Sequence, residues 1–364
     1  MFDFSQRVLL LTGANGGIGR GIARLFVEAG AKLVMADIGL QGAEAFARSL
    51  DPAGETIALL QLDASRTGDV ERAIYPRSAL KPIQAVPLIE SGAADAFAVS
   101  DEELALACAS HSGEVQATAR IAAWLRRIGC SVGELACGPH RPIHEPTANA
   151  MIARGEKWTP LHNNCSGKHT GFMSLARGLG APVANYQEHD HPVQRAIETT
   201  LKEMTGINRD LPYGVDGCTV PNFAVPLAAL ARAMAQIADP AELPFGRADV
   251  RRRILAAMMD HPELVAGTGR PCTLLMQQNP RIAVKTGAEG VYAAILPELG
   301  FGVAVKIDDG ASRAAETVIA AVLIALGATP DEGPAAGMAR APVLNTRGVP
   351  IGERRASAIL RHSS

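Results

Sequence analysis

The chain has 364 residues, of which 48% are hydrophobic and 20% charged, with a formal net charge of −2. This length and composition are typical of a folded protein with two domains and exclude a disordered chain. The near-zero charge and the aromatic content of 4% argue against a nucleic-acid partner and against an anionic membrane surface. The longest apolar run, Val318–Ala328, is about half the roughly 20 residues of a membrane-spanning helix. The N-terminus shows no secretory pattern, so we expect a cytoplasmic protein.

The first part of the chain has the pattern of a dinucleotide-binding unit. A buried-strand run at 7–11 leads into the glycine-rich stretch Thr12–Gly19, which opens a helix reaching Gly30. Two further strand patterns follow and end at Asp37 and Asp63. Glycines in such a turn let the backbone approach a pyrophosphate, and an acid at a strand end can bond the ribose hydroxyls.

Residues 1–66 therefore resemble the first third of a short-chain dehydrogenase/reductase. The resemblance implies that Gly13, Gly17 and Gly19 are the phosphate-loop glycines. It also implies that Asp37 is the ribose acid and that Asp63 lies near the adenine.

The catalytic pair of that family is missing from the sequence. Its chemistry needs Tyr-x-x-x-Lys, yet none of the four tyrosines is followed four residues later by lysine; those positions hold Ala79, Asp190, Gly217 and Leu296. The later strands of a full Rossmann sheet are also missing. Hydride transfer and NAD(P) binding are thus disfavoured, and we interpret residues 1–66 as a truncated Rossmann-like segment.

A Ser-x-x-Lys pair follows in the stretch Pro76–Pro82. Ser78 and Lys81 would share one face of a helix, because residues three apart are neighbours there. A serine hydroxyl needs a base to become a nucleophile, and a lysine can serve when burial or a nearby charge lowers its pKa. Two further boxes occur in order, Ser110–Gly113 and Lys285–Gly287. Together the three boxes indicate a serine acyl-transfer enzyme on the penicillin-binding and β-lactamase fold.

The pattern of elements from residue 67 onward agrees with that fold. A capping box at Ser100 begins a helix that ends before Ser110, and other helical patterns lie at 114–128, 146–154, 166–177, 191–204, 223–238 and 248–260. Three short antiparallel strands are predicted at 281–286, 291–296 and 301–307, followed by a last helix at 312–326. The predicted class is α/β: a Rossmann-like segment at 1–66, then at 67–364 an α+β serine β-lactamase/glutaminase-like domain with an antiparallel sheet and a helical subdomain.

A second group of reactive residues lies outside the three boxes. Cys165 and Lys168 are one helical turn apart, His169 follows, and Asp216 and Cys218 share a later loop. Thiol, amine and imidazole groups could converge into a zinc-type site, although widely spaced cysteines are more often structural. The six cysteines are irregularly spaced, which favours free thiols or metal ligands over disulfides.

From about Gly68 to its end the chain resembles the rhizobial-type (class 3) L-asparaginase II family. The resemblance rests on long strings: Pro76–Ala85, Ala109–Glu114, Leu161–His169, Asp216–Cys218, His261–Pro262, Val265–Gly267, Arg270, Cys272–Thr273 and Val284–Gly290. It implies hydrolysis of L-asparagine in a homodimer, through two Ser-Lys tandems, Ser78 with Lys81 and Ser110 with Lys285. It further implies a zinc ion that is held by Cys165, Lys168 and Cys218 and that contributes to substrate affinity, with Asp216 and His169 beside it as substrate-binding residues.

The mechanism expected from these residues is acyl transfer, with Ser78 attacking the carboxamide and Lys81 as base. Lys285 and Ser110 would keep Lys81 neutral through like-charge repulsion and would relay the proton. Arg77 is a candidate partner for the substrate α-carboxylate, with a structural salt bridge as its alternative.

The sequence departs from this family at its start, where the dehydrogenase-like segment replaces the first strands of the catalytic sheet. Three alternatives therefore stay open. The first is another serine hydrolase of the same fold, a glutaminase or β-lactamase, which the Cys165–Lys168–Cys218 group disfavours. The second is an NAD(P)-binding short-chain dehydrogenase-like oxidoreductase, and the third is an inactive chimeric remnant.

Overall fold

The computed structural model describes residues 8–12, 17–29, 32–37, 42–52, 57–61 and 69–356. The chain divides into two compact units, Met1–Asp69 and Val70–Ser364. The sequence placed this boundary at residues 66 and 67.

The first unit contains a three-stranded parallel sheet. Strands β1 (Val8–Thr12), β2 (Lys32–Asp37) and β3 (Ile57–Gln61) lie in the order β1-β2-β3, with helices α1 (Gly17–Glu28) and α2 (Ala43–Leu50) between them. Strands this rich in Leu, Ile and Val are typical of parallel sheets, which helices cover on their faces. The three predicted strands and the first helix are confirmed, whereas α2 was not predicted.

The glycine and acid positions of the first unit fall partly on this framework. Gly17 and Gly19 lie in the first turn of α1, and Asp37 is the last residue of β2. Gly13 and Asp63 lie outside the described residues.

The second unit is mainly helical. Its helices are α3 (Lys81–Gln84), α4 (Val86–Glu90), α5 (Ala93–Ala96), α6 (Asp101–Ala107), α7 (Val115–Arg127), α8 (Glu145–Ala153), α9 (Ser166–Gly178), α10 (Pro192–Thr205), α11 (Leu227–Ala238), α12 (Phe245–Asp260), α13 (Pro262–Ala266), α14 (Pro271–Gln278), α15 (Ser312–Ala325) and α16 (Gly333–Ala339). Short 3₁₀ turns occur at Arg77–Leu80, Val132–Glu134, Pro160–His162 and Pro297–Leu299.

One three-stranded antiparallel sheet and three small strand pairs accompany these helices. The strands are β4 (Ala73–Ile74), β5 (Tyr213–Val215), β6 (Pro221–Phe223), β7 (Val225–Pro226), β8 (Ala283–Gly287), β9 (Val291–Leu296), β10 (Phe301–Lys306), β11 (Arg340–Leu344) and β12 (Pro350–Arg355). The larger sheet has the order β10-β9-β8, and the pairs are β4 with β7, β5 with β6 and β11 with β12.

Helix α9 lies at the centre of the second unit. Residues Ser166 to Ala176 are all buried, polar side chains included. Gly167 makes this possible, because a Cβ at this position would overlap the Leu106 carbonyl of α6. The close contact places the start of α9 directly beside the loop that follows α6.

The structure corrects several predicted elements. The helix predicted over 223–238 begins only at Leu227, because β6 and β7 occupy the preceding residues. The helix at 312–326 is present as α15, but it is not the last element, since α16 and the β11–β12 hairpin follow it. Within the described ranges, no helix is long and apolar enough to cross a membrane.

Candidate active site

Ser78 lies in the 3₁₀ turn Arg77–Leu80, directly before α3. Arg77 has a positive φ of 53°, an uncommon conformation for a residue other than glycine. The Ser78 side chain is half-buried, and its hydroxyl makes no hydrogen bond within the described part of the chain. The hydroxyl is therefore not committed to another group of the described residues.

The Lys81 amine points toward Ser110 and does not bond Ser78. This side chain is 1% exposed, and its Nζ donates to the Ser110 Oγ at 3.1 Å, to the Ala109 carbonyl and to the Asn164 carbonyl at 3.4 Å. Ser78 and Lys81, predicted to share one face with Lys81 as base, make no hydrogen bond to each other among the described residues. Residues three apart lie on one face of a 3₁₀ turn as well, so the direction of the Lys81 side chain follows from its acceptors on Ala109, Ser110 and Asn164.

Lys285 reaches the same hydroxyl from β8. Its Nζ donates to the Ser110 Oγ at 2.8 Å and to the Thr286 carbonyl at 2.8 Å, and the side chain is 2% exposed. Burial and the neighbouring Lys81 lower the pKa of Lys285 to about 7. A lysine of this kind is partly neutral near physiological pH and can accept a proton.

Gly287 lets β8 come this close to the serine turn. A Cβ at Gly287 would stand 2.6 Å from the Pro76 carbonyl oxygen and 3.2 Å from the Ala79 nitrogen. No side chain fits there. The glycine two residues after Lys285 therefore allows β8 to pack against the turn of Ser78 while Lys285 reaches Ser110.

The loop that carries Ser110 is held by buried hydrogen bonds. The Ser110 N–H donates to the Val265 carbonyl at 2.8 Å, and the Ser112 hydroxyl donates to the Ala266 carbonyl at 2.8 Å. His111 accepts from the Gly113 N–H at Nδ1, so its Nε2–H donates to Ser166 at 2.9 Å. Burial lowers the pKa of His111 to about 3, and its neutral ring therefore links the loop to α9.

The second predicted group converges next to this cluster. Cys165, Lys168 and Cys218 are each at most 6% exposed, and the Lys168 Nζ donates to the Cys218 Sγ at 3.1 Å. The Cys218 thiol, against the effect of burial, holds the pKa of Cys165 well below its usual value. Burial lowers the pKa of Lys168, but the two sulfurs outweigh it and raise this pKa.

The two thiols are ligands that zinc prefers, whereas Lys168, whose pKa is raised, must lose a proton before its nitrogen can bind a metal. Within the described residues, no three His, Cys, Asp or Glu side chains come together as a metal site, so a metal here would need the lysine nitrogen. All six cysteines are free thiols.

Asp216 connects the second group to the serine turn. Its Oδ1 accepts from the Arg77 Nη2 at 2.8 Å and from the Gly217 N–H at 2.7 Å. Burial raises the pKa of Asp216, but Arg77 and Lys168 together hold it below its usual value. The Arg77 guanidinium also pairs with Glu289 at 3.0 Å, which favours the structural salt bridge for Arg77 over an open carboxylate site.

Comparison with known proteins identifies the family of the domain that holds this site. The sequence model of L-asparaginase II matches residues 60–356, which is most of the chain. The chain belongs to the L-asparaginase II family. The short chain dehydrogenase model matches residues 7–101, so the two matched ranges overlap at 60–101, where Ser78 and Lys81 lie.

Three of the curated proteins similar to this chain are oxidoreductases by name. Cis-4-hydroxycyclohexanecarboxylate dehydrogenase of Sinomonas cyclohexanicum is 30% identical over 188 residues, 50% of this chain and 69% of that protein. The uncharacterized oxidoreductase YuxG of Bacillus subtilis is 35% identical over 81 residues, 21% of this chain and 12% of that protein. Galactitol 2-dehydrogenase of Agrobacterium fabrum is 36% identical over 70 residues, 19% of this chain and 27% of that protein. The chain thus spans only a small part of the last two.

His169 is buried inside the L-asparaginase II domain and is not accessible to solvent. It is fully buried, and its Nδ1 accepts from the Tyr186 hydroxyl at 2.6 Å, while the Ala136 N–H donates to that hydroxyl. Burial and Lys168 lower the pKa of His169 well below its usual value. Its Nε2 has no partner within the described residues.

Sequence reasoning missed several partners in this L-asparaginase II site. The carbonyls of Ala109 and Asn164 accept from the Lys81 amine. Every residue has a backbone carbonyl, so the sequence does not show which ones accept this bond. Glu289 lies four residues after Lys285 in the same string, so its place in the motif was a usable signal. Tyr186, which holds His169, lies 17 residues further on and carries no motif signal.

Proposed function

We propose that the chain hydrolyses L-asparagine to L-aspartate and ammonia by Ser-Lys acyl transfer. The observation that carries this proposal is the Ser110 hydroxyl, which two buried lysines from different elements contact at 3.1 Å and 2.8 Å. One of those lysines has a pKa of about 7, as proton transfer at neutral pH requires. Family membership supplies the amide as substrate class.

Ser78 is the nucleophile in this proposal because its hydroxyl is half-exposed and free, whereas Ser110 is buried between two amines. The Ser78 oxygen bonds to the carboxamide carbon while the Lys81 amine takes the hydroxyl proton. Ser78 and Lys81 make no hydrogen bond in the free protein, but catalytic hydrogen bonds often tighten only in the substrate complex. A backbone N–H of the serine turn donates to the developing oxyanion.

Departure of ammonia completes the first half of the reaction. The carbon–nitrogen bond breaks, and the proton passes from Lys81 through the Ser110 hydroxyl and Lys285 to the leaving nitrogen. Water then attacks the ester on Ser78, its proton returns along the same groups, and aspartate leaves with the Ser78 hydroxyl restored.

We further propose zinc at the group formed by Cys165, Lys168 and Cys218, where the two thiols are zinc ligands and Lys168 would bind as the neutral amine after losing its proton. When bound, zinc would supply a positive charge that contributes to substrate affinity. Asp216 lies beside the group and is oriented by Arg77, so it would bind the substrate α-amino group. His169 would stabilise α9 through its hydrogen bond with Tyr186.

The test is ammonia release from L-asparagine by the full chain, with and without added zinc. Ser78→Ala should abolish release, whereas Ser312→Ala, at an exposed helix start, should leave it unchanged. Persistent activity in Ser78→Ala with loss in Ser110→Ala would transfer the nucleophile role to Ser110. Ammonia release from L-glutamine alone, or ring opening of a β-lactam alone, would support the other hydrolases. A folded chain that acts on none of these substrates would support the inactive chimera. Light scattering would test the proposed homodimer.

A second candidate function is nucleotide binding by the first unit, which the match over residues 7–101 favours. The missing Tyr-x-x-x-Lys pair still disfavours a dehydrogenase. NADH fluorescence titration of the full chain tests this candidate. A saturable enhancement that Asp37→Ala weakens would support it, and an unchanged spectrum would exclude it.

A further inference from the structure

A cleft of about 510 Å³ lies between α10, α11 and α12 of the second unit. Its lining residues include none of those proposed for catalysis or for zinc. The walls are strongly charged: three arginines and three acids line it, namely Arg232, Arg247, Arg251, Glu203, Asp239 and Glu242. A cleft of this composition is built for a polar ligand.

The arginine wall has more positive charge than its own ion pairs compensate. Arg247 pairs with Glu203, and Arg247 and Arg251 share one oxygen of Glu90, at 3.0 Å and 3.2 Å. Arg232 makes no ion pair among the described residues. Glu90 and Glu203 thus pair with Arg247 and Arg251 only, which leaves the Arg232 guanidinium able to donate to a ligand carboxylate.

Arg251 is the second sign of a ligand. Its side chain is only 1% exposed, yet its Nε has no hydrogen-bond partner within the described residues. A buried guanidinium nitrogen without an acceptor is costly, so such a group is normally paired with a protein group, an ordered water or a ligand.

The acids of the cleft decide which kind of ligand fits. Asp239 and Glu242 come from the connection between α11 and α12, and neither forms an ion pair in the described part of the chain. Counted with Glu90 and Glu203, four carboxylates face three guanidiniums. A phosphate or a dicarboxylate would bring excess negative charge, whereas a zwitterion can place its carboxylate on the arginines and its ammonium on the acids.

We propose that this cleft binds a free α-amino acid, away from the Ser78–Lys285 centre. The α-carboxylate accepts from the guanidiniums of Arg232 and Arg251. The α-ammonium donates to Asp239 or Glu242. The inference is independent of the proposed function, because it uses none of the residues of that site.

Isothermal titration of the full chain with L-alanine tests the proposal. Arg232→Ala should weaken L-alanine binding at least tenfold, because it removes a charge-assisted hydrogen bond from the cleft. Arg252→Ala is the matched control, since it removes an exposed arginine of the same helix as Arg251 that does not line the cleft. Equal affinities in the two variants, or no binding to the wild type, would overturn the inference.

Acetate and methylammonium, each half of the zwitterion, separate the ligand classes. Both should bind at least tenfold more weakly than L-alanine. Acetate as tight as L-alanine would refute the amino-acid assignment and leave an anion site only. Binding in the cleft without ammonia release, or ammonia release without binding in the cleft, would separate the failure of one proposal from that of the other.

Discussion

Replacing Lys285 by methionine should change how the stability of the second unit depends on pH. The native pKa of Lys285 is about 7, because the side chain is buried and Lys81 lies close by. In an unfolded chain a lysine titrates near pH ~10.4. Between these values the unfolded state binds a proton that the native state lacks, so the free energy of unfolding rises with pH. Below about pH 7 both states are protonated, and the dependence disappears.

The size of the effect follows from the two pKa values. From pH 7 to pH 9, the lysine alone raises the free energy of unfolding by about 2 kcal/mol. Lys285→Met has a side chain of similar length without the titrating group, so its stability should lack this increase. The difference between wild type and variant should therefore grow by about 2 kcal/mol over that interval.

Urea denaturation followed by tryptophan fluorescence measures this difference. Both tryptophans, Trp124 and Trp158, belong to the second unit, so the signal reports that unit alone. Lys157→Met, which removes an exposed lysine, is the control and should follow the wild type at every pH. Parallel profiles for wild type and Lys285→Met would refute the argument that Lys285 is buried and neutralised.

Four further outcomes are expected. Gly287→Ala should abolish activity and lower stability by about 2 kcal/mol or more, because its Cβ would meet the Pro76 carbonyl at 2.6 Å, and circular dichroism melting would show it. Gly246→Ala, in open helix surface, should be neutral or slightly stabilising in the same melt. Ammonia release should rise with pH through about 7 as Lys285 loses its proton, and a profile flat from pH 6 to 8 would contradict this role. Ser100→Ala removes the cap of α6 and should cost about 1 kcal/mol of unfolding free energy in urea titrations.

The helices were the most predictable part of the fold. The apolar spacing at 114–128 and the capping box at Ser100 located α7 and α6 almost to the residue. The β11–β12 hairpin was missed because its apolar residues are exposed, Ile351 at 67%, so no buried alternation marks it. Its turn does contain Asn345 and Gly348, which was a usable signal.

The residues of the candidate site were predictable, but their contacts were not. Motif strings identified Ser78, Lys81, Ser110 and Lys285, and the structure brings the last three together. Helical spacing alone placed Lys81 on one face with Ser78, within reach of it. The position of the amine is decided instead by backbone carbonyls that a distant loop supplies, and local periodicity holds no information about those.

The ion pair between Arg77 and Asp216 has a consequence for substrate choice. Arg77 directly precedes Ser78, and Asp216 is two residues before Cys218, so one pair of side chains sets the separation of the nucleophile from the α-amino anchor. Under the proposed function that separation must equal the length of the bound side chain. The extra methylene of glutamine would push its carboxamide past the Ser78 oxygen. Asparagine selectivity would then be a property of this ion pair, and Arg77→Lys, with a shorter reach and a different charge geometry, would move the preference between the two amides.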